Sequence, residues 1–145
     1  MTSPPDAAVL APDRVTDPVD QPFWDAIDQG MFVLACCSQC GRRYARAQAC
    51  SGCGAPLSAI EWAAADGRGT VKSFCIFEKA YHPFFETMVP YVVAIIRLHE
   101  GVDIQTNLID ARLSEVHVGL PVRMVVRLRG PWATHQAVPD SVSAH

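Results

Sequence analysis

The sequence predicts a mainly β protein in which a short helix and a cysteine-rich ribbon precede a small β-barrel. Two observations carry this prediction. Four cysteines within residues 37–53 form two pairs with the same spacing, and the chain after residue 59 consists mostly of short runs rich in β-branched and aromatic residues. With 145 residues, the chain has the size of one ordinary domain, or of a small β domain with an appended module.

Composition narrows the classes of function. Hydrophobic residues make up 50% and charged residues 19%, which is enough apolar surface for a folded chain. The formal net charge of −3 disfavours nucleic acid as a partner, because phosphate backbones attract basic proteins. The longest apolar run, residues 91–96, is far shorter than the roughly 20 residues of a membrane span. The N-terminus lacks the pattern of a secretory signal, so we expect a cytoplasmic protein with reduced cysteines.

Four segments are predicted along the chain. Residues 1–19 and 131–145 show little apolar periodicity, so we expect them to form flexible tails. Residues 20–58 hold the helix and the ribbon, and residues 59–130 hold the barrel. The folded part is therefore expected to consist of a small N-terminal module and a larger C-terminal one.

The helix is predicted between Asp20 and Gly30. Asp20 is a candidate cap, Phe23 and Ile27 are four residues apart on one face, and Gly30 is a stop signal. A helix of this length does not persist alone, so packing must stabilise it. We expect Phe23, Trp24 and Ile27 to pack on this domain or on another subunit.

Strands are predicted on both sides of the cysteines and through the rest of the chain. Residues 31–35 lead into the cysteine region, and residues 60–62 begin the next pattern. The later runs are β-branched or aromatic and are separated by turn residues: 69–77, 91–98, 104–109 and 122–129. Four to five short strands of this kind indicate a small barrel.

The cysteine pairs are the strongest chemical signal. Cys37 and Cys40, and then Cys50 and Cys53, form two C-x-x-C-G motifs separated by nine residues. The glycine after each pair permits the left-handed backbone of a tight knuckle. Four thiolates favour tetrahedral Zn²⁺ with no open coordination position, so the sequence predicts a structural zinc site that contributes folding energy.

Paired cysteines also have uses other than zinc binding. A redox C-x-x-C normally begins a helix in a βαβ unit, which this pattern lacks. An iron–sulfur cluster also accepts four thiolates. Cys36 would disturb the two-residue spacing and is predicted to be a neighbouring free thiol, whereas Cys75 is predicted to face either the core or a partner.

Residues 78–90 form an unusually long and aromatic connection between two predicted strands. It contains Tyr81, Phe84 and Phe85. Clustered aromatics are costly to expose, so the loop is expected either to contact a partner or a ligand, or to fold over the barrel mouth as part of the core.

The last predicted strand carries a row of arginines. Arg123, Arg127 and Arg129 lie on the face opposite its apolar residues. The row is interpreted either as a solvated outer face or as a contact for the phosphates of a ligand.

A catalytic constellation is not predicted. The five histidines show no metal-ligand spacing, and Gly67, Arg68 and Gly69 precede a strand and are too short for a nucleotide-binding loop. We therefore assign no catalytic residues.

In combination, these features resemble the rubredoxin-like zinc-ribbon plus OB-fold family, first catalogued as domain of unknown function 35. The likeness extends over about residues 21–129. In chain order, its parts are Phe23 and Trp24, the pair Cys37 and Cys40 with Gly41, the pair Cys50 and Cys53 with Gly54, Trp62, and then residues 67–71, 90–94, 106–108 and 119–122.

The resemblance implies a helix and zinc ribbon followed by a five-stranded OB-fold barrel, in a protein that acts beside acyl-CoA enzymes. Relatives accompany thiolase-like proteins, which include acyltransferases and the retro-aldolases of steroid side-chain degradation, or MaoC-like hydratases. Catalytic residues then belong to the partner.

Three hypotheses follow. The leading one is a non-catalytic accessory subunit that forms a hetero-oligomer with a thiolase-like enzyme and shapes its acyl-CoA site. The second is an acyl-CoA-binding module partnered with a MaoC-like hydratase, with the arginine row toward the coenzyme phosphates. The third, from another functional class, is an OB-fold protein that binds single-stranded nucleic acid. The negative net charge of the chain argues against this hypothesis.

Overall fold

The computed structural model describes residues 17–140. A 3₁₀ turn, Pro18–Asp20, leads into one α-helix, α1 (Gln21–Asp28). Eight strands follow: β1 (Val33–Cys37), β2 (Arg43–Tyr44), β3 (Ile60–Ala64), β4 (Arg68–Phe77), β5 (Tyr91–Leu98), β6 (Asp103–Leu108), β7 (Pro121–Arg129) and β8 (Trp132–Pro139). Most of the N-terminal tail expected from the sequence, residues 1–16, lies outside the described residues, as do residues 141–145.

Five strands close into a barrel in the order β4-β5-β6-β8-β7. Neighbours are antiparallel except β6 and β8, which meet in parallel at Leu108 and Ala137. The mainly β architecture with a five-stranded barrel is confirmed.

The prediction of a flexible tail over residues 131–145 is wrong for β8, which pairs with β7 along its length. Its sequence signal is weak because most of its residues, apart from Trp132 and Val138, are small or polar. Ala137 is fully buried, while the amide Nε2 of Gln136 donates a 3.0 Å hydrogen bond to the hydroxyl of Thr134. Local pairing of polar groups allows such a strand to be buried without a β-branched apolar run.

The ribbon is a separate three-stranded sheet in the order β2-β1-β3. β3 pairs with β1, with Trp62 opposite Ala35. The predicted module boundary at residue 59 therefore needs correction, since β3 belongs to the ribbon sheet and the barrel begins with β4. The two modules share apolar packing, because Leu34 of β1 is fully buried in the barrel core.

Helix α1 covers one side of the barrel. Phe23 and Ile27 are buried against Val33, and Val126 and Ala133 of the barrel pack against the same cluster. Asp20 makes no side-chain cap to α1, contrary to the sequence prediction. Its carboxylate instead accepts a 2.7 Å hydrogen bond from Arg46 and a 3.3 Å hydrogen bond from the backbone N–H of Ala47, which ties the helix to the ribbon.

Within residues 17–140, no helix is both long enough and apolar enough to cross a membrane.

Candidate metal centre and partner-facing surfaces

Two nearly equivalent backbone turns position the four cysteines. In the first, the N–H of Gly41 donates to the carbonyl of Cys37 at 2.8 Å, and in the second the N–H of Gly54 donates to that of Cys50 at 3.0 Å. The φ angles of Gly41 and Gly54 are positive, 82° and 78°. The turn requires this backbone conformation, which residues with a Cβ atom rarely adopt.

The same two turns are closed by a second hydrogen bond. The N–H of Cys37 donates to the carbonyl of Arg42, and that of Cys50 donates to the carbonyl of Ala55, each at 2.9 Å. The repeated C-x-x-C-G motif is therefore a repeated backbone geometry, and each copy directs two sulfurs to the same side.

The four sulfurs converge. The Sγ atoms of Cys37, Cys40, Cys50 and Cys53 all lie within 4.8 Å of one another. Cys37 and Cys53 are 3.6 Å apart, and Cys40 and Cys50 are 3.5 Å apart. These distances are far longer than the roughly 2.05 Å of a disulfide. The cluster can hold one metal ion.

Hydrogen bonds to sulfur favour the thiolate in the two buried cysteines. The backbone N–H of Cys40, and then that of Gln39, lower the pKa of Cys37. The hydroxyl of Tyr44, and then the backbone N–H of Cys53, lower the pKa of Cys50 to about 6. Thiolates are the form that ligates metals.

Sequence reasoning missed Tyr44. Its hydroxyl lies 3.3 Å from the Sγ of Cys50 and accepts a 2.9 Å hydrogen bond from the N–H of Ser51. The available signal was weak: one tyrosine between the two pairs in a segment with little apolar pattern.

The two remaining cysteines lie outside the cluster. The Sγ of Cys36 is 3.8 Å from the carbonyl oxygens of Cys37 and Gly41. Cys75 is exposed on β4, so the reading of this residue as core is wrong.

Two of the three helix residues predicted to contact a partner are instead part of this chain's own core. Phe23 is 6% exposed and Ile27 is 0% exposed, because both pack against the barrel. Trp24 is half-buried and borders a cavity of about 360 Å³ with Asp20, Arg46 and His135.

His135 is a further residue that sequence reasoning did not single out. Its ring makes contacts with Phe23, Trp24 and Phe32, with ring centroids 5.2, 6.0 and 6.2 Å away. Burial, and then the positive charge of Arg129, lower the pKa of His135 to about 4. The ring is therefore neutral at physiological pH.

The aromatic loop folds back on the barrel through a stack of rings. Phe85 stacks on Tyr91 with centroids 5.1 Å apart, and Tyr91 stacks on Phe77 at the same distance. Phe84 meets Phe85 edge-on at 5.3 Å, while Tyr81 remains 75% exposed. Phe84 and Phe85 therefore pack toward the barrel, as expected for a loop that is part of the core. Tyr81 faces outward, as expected for a residue that contacts a partner.

The three arginines of β7 do not form a uniform row. Arg123 and Arg127 are exposed, and Nη1 of Arg127 lies 3.6 Å from a carboxylate oxygen of Asp110. Arg129 lies over the ring of Phe85 at 5.9 Å, and burial lowers its pKa. Its Nε atom is buried and has no hydrogen-bond partner among the described residues 17–140.

A cavity of about 450 Å³ lies between the aromatic loop and the barrel. Its walls combine apolar side chains, among them Phe85, Tyr91 and Leu128, with Arg129 and Asn107. This is the size and mixture of surfaces that binds small molecules.

Comparison with known proteins shows which folds and sequences this chain is similar to. A solved structure described as an Ltp2–ChsH2(DUF35) aldolase has a TM-score of 0.78 and 26% sequence identity, over 88% of this chain and 98% of that chain. Residues 62–127 match the family model of the ChsH2 C-terminal OB-fold domain. The chain therefore carries a domain that matches the ChsH2 C-terminal OB fold, and it is similar to DUF35 proteins. A DUF35 protein from Sulfolobus solfataricus shares the fold, with a TM-score of 0.54 and 20% identity, over 86% of this chain and 87% of that chain.

Curated relatives of this chain fall into two groups. A probable enoyl-CoA hydratase alpha subunit from Thermomonospora curvata is 34% identical over 71% of the chain, and the 3-oxo-4,17-pregnadiene-20-carboxyl-CoA hydratase alpha subunit of Mycobacterium tuberculosis is 33% identical over 56%. A DUF35 domain-containing scaffold protein from Methanocaldococcus jannaschii is 36% identical over 42%. The chain spans only 32%, 25% and 43% of these relatives' own lengths, respectively.

Proposed function

We propose that this chain is a non-catalytic accessory subunit of a thiolase-superfamily acyl-CoA enzyme, either an acyltransferase or a retro-aldolase. It stabilises the complex and shapes the acyl-CoA site. One observation carries the proposal: the chain has the fold of almost the whole of a chain in a structure described as an Ltp2–ChsH2(DUF35) aldolase. The assembly is a cytoplasmic hetero-oligomer.

The cysteine cluster supports a structural role for the metal within this proposal. Four sulfurs about 2.3 Å from a tetrahedral Zn²⁺ lie about 3.8 Å apart. The separations of 3.6 and 3.5 Å between two pairs of sulfurs are close to this value. Cys37, Cys40, Cys50 and Cys53 would hold a zinc ion that orders the ribbon, since four protein ligands leave no open position for chemistry.

The loop and the β7 arginines are the proposed contacts with the enzyme and its acyl-CoA. Tyr81 offers an exposed aromatic anchor. Phe85 and Arg129 line the cavity, and Phe84 packs edge-on against Phe85. The Nε atom of Arg129, which is buried and has no hydrogen-bond partner within residues 17–140, supports binding of a negatively charged group. Arg123 and Arg127 are exposed enough to meet phosphates. Phe23 and Ile27 are removed from the proposed interface because they are buried, whereas half-buried Trp24 stays in it.

A second candidate is an acyl-CoA-binding module partnered with a MaoC-like hydratase. The hydratase alpha subunits among the relatives favour it. Binding of single-stranded nucleic acid is not favoured by any surface described above, and the net charge of −3 opposes it.

Co-expression with each candidate enzyme from the same genome tests these proposals. We expect a complex that survives size-exclusion chromatography with a thiolase-like enzyme and a higher activity of that enzyme in the complex. A stable complex with a hydratase alone would select the second candidate. Absence of any complex, together with full activity of the thiolase-like enzyme alone, would refute the leading proposal.

Paired variants test the arginines in the isolated chain and in the complex. Arg129→Ala should weaken acyl-CoA binding measured by calorimetry, because it removes the partly buried guanidinium from the cavity. Arg97→Ala is the control, because this half-exposed arginine lies on β5 and does not line the cavity. Equal affinities for the wild type and Arg129→Ala would remove Arg129 from the ligand site.

A further inference from the structure

A smaller cavity of about 230 Å³ lies beside helix α1. Trp24 of α1 and Val93 of β5 give it apolar walls, and residues of β6 and β8 add amide and hydroxyl groups. Arg129 and His135 belong to the same lining. His135 does not line the larger cavity under the aromatic loop, so the two cavities are different places on the barrel.

The charge of this smaller cavity is positive and uncompensated. Arg129 is the charged residue of the lining, and none of the lining residues is acidic. Asp110, which lines the larger cavity together with Arg129, pairs with Arg127 instead. The Nε atom of Arg129 is buried and has no hydrogen-bond partner within residues 17–140. A partly buried guanidinium in this state favours an anion as its partner.

His135 supplies a second nitrogen without a second charge. Its Nδ1 atom is buried and also has no hydrogen-bond partner in the described part of the chain. Burial and the positive charge of Arg129 lower the pKa of His135 to about 4, so the ring is neutral at physiological pH. A neutral imidazole still offers one N–H donor. The ring borders the cavity, and rotation about its Cβ–Cγ bond can turn this nitrogen toward a ligand there.

We propose that this cavity binds the carboxylate of a small organic acid, with one oxygen on the guanidinium of Arg129 and the other on the imidazole of His135. One positive charge matches the single charge of a carboxylate better than the charge of about −1.5 to −2 on a phosphate monoester. The proposal is independent of acyl-CoA binding, because it concerns the other cavity and a ligand without coenzyme A.

The apolar part of such an acid has room along the helix. The neighbouring cavity of about 360 Å³ shares Trp24 and His135 with this one, so the two adjoin. Phe23 and Ile104 add apolar surface to the shared space. Ion pairs within this chain already neutralise the charged residues of the neighbouring cavity. The uncompensated charge therefore places the carboxylate at the Arg129 end and the apolar chain at the helix end.

Titration of the purified full chain with sodium butyrate tests the ligand class, because butyrate has a carboxylate and a short apolar chain. We expect a dissociation constant on the order of 1 mM by NMR titration. Butanol, which lacks the charge, and inorganic phosphate, at matched ionic strength, should each bind at least tenfold more weakly. Butyrate that binds no more tightly than butanol, or phosphate that binds more tightly than butyrate, would overturn the proposal.

Substitutions of His135 test its part in the site. His135→Leu should weaken butyrate binding about tenfold, because a hydrogen bond to a charged group is lost. His135→Asn, whose amide can take the place of Nδ1, should recover part of this loss. His99→Leu makes the same chemical change at a side chain that is 63% exposed and outside both cavities, and should bind like the wild type. Equal affinities for the wild type and His135→Leu, or no recovery in His135→Asn, would refute the role of Nδ1.

NMR spectra of the wild type provide a test that does not depend on the folding of any variant. Butyrate should shift the ring nitrogen signals of His135 and the indole N–H signal of Trp24, while the signals of His99 stay in place. Shifts confined to the larger cavity, for example at Tyr91, would overturn the proposed location.

The same His135→Leu variant separates this site from the proposed acyl-CoA site. Acyl-CoA affinity should be the same in this variant and in the wild type, because His135 does not line the larger cavity. Circular dichroism and zinc content should also be the same. Failure of butyrate binding and failure of acyl-CoA binding are thus measured separately, and an equal loss of both in His135→Leu would refute two independent sites.

Discussion

The hydroxyl of Tyr44 lies 3.3 Å from the Sγ of Cys50 and at the same time accepts a hydrogen bond from the backbone N–H of Ser51. This one side chain links β2 to the second cysteine turn. It supports a ligand sulfur from outside the cluster, as residues around metal ligands commonly do.

Replacing Tyr44 by phenylalanine should weaken metal binding by about tenfold without abolishing it, because the four sulfurs remain and only the hydrogen bond to Cys50 is lost. Competition with a chromophoric chelator measures the change. Phe84→Leu, which alters an aromatic far from the cysteines, is the control. Unchanged affinity in Tyr44→Phe would show that the hydroxyl does not support the site.

The amount of bound zinc should show that Cys37 is a metal ligand and that the adjacent Cys36 is not. Cys37→Ser removes one of the four converging sulfurs and should lower bound zinc from about one ion per chain to a small fraction. Cys36→Ser should leave zinc unchanged, because the Sγ of Cys36 points to carbonyl oxygens outside the cluster. Elemental analysis of both purified variants is the measurement. Loss of zinc in Cys36→Ser alone would reassign the ligand set.

Helix α1 should behave as part of the core. Ile27→Ala is expected to reduce the free energy of unfolding by about 2–5 kcal/mol, because the side chain is fully buried and its removal leaves a cavity. Met31→Ala, at a 49% exposed position, should change it by less than about 0.5 kcal/mol. Urea unfolding gives both values. Equal stability of the two variants would contradict the packing of the helix on the barrel.

His135 should make the protein less stable in acid. Its pKa in the folded state is about 4, against 6.5 for an unperturbed histidine. The unfolded chain therefore binds a proton before the folded chain does, and stability falls as the pH drops from about 6.5 to 4. By pH 4 this histidine should account for about 3 kcal/mol of the loss, since one pKa unit corresponds to about 1.4 kcal/mol.

His135→Leu isolates this contribution. The variant keeps an apolar side chain of similar size among the same rings but cannot take up the proton. Its stability relative to the wild type should therefore rise by about 3 kcal/mol between pH 7 and pH 4, while acid effects on the cysteines and carboxylates are common to both proteins. Urea unfolding at each pH measures it. A constant difference between the two proteins would show that His135 titrates normally.

Much of the architecture could be predicted because its signals are local. Each C-x-x-C-G motif predicts a tight turn, because the two cysteines and the glycine that form the turn lie within five consecutive residues. Strands β4, β5, β6 and β7 were recognisable from β-branched runs between turn residues. Strand β8 was not, because its buried polar side chains are accommodated by hydrogen bonds from Gln136 to Thr134 and from Thr134 to the carbonyl of Arg127 on β7.

The candidate surfaces were harder to predict than the metal centre. An amphipathic face on α1 predicts burial but does not say against what, and Phe23 and Ile27 turned out to pack on the barrel of the same chain. Alternation along β7 places Arg127 and Arg129 on one face, but only their neighbours, Asp110 and Phe85, give them different environments. Tyr44 carried only a weak local signal, and the surroundings of His135 are formed by rings more than 100 residues away in the chain.

By itself, the sequence determined the cysteine turns, the helix and four of the five barrel strands, because each depends on residues close together in the chain. Tertiary structure alone decided which apolar side chains are buried in the core and which are exposed. Those outcomes depend on contacts between residues far apart in the chain, such as Phe23 against His135 at 5.2 Å. No local pattern encodes such contacts.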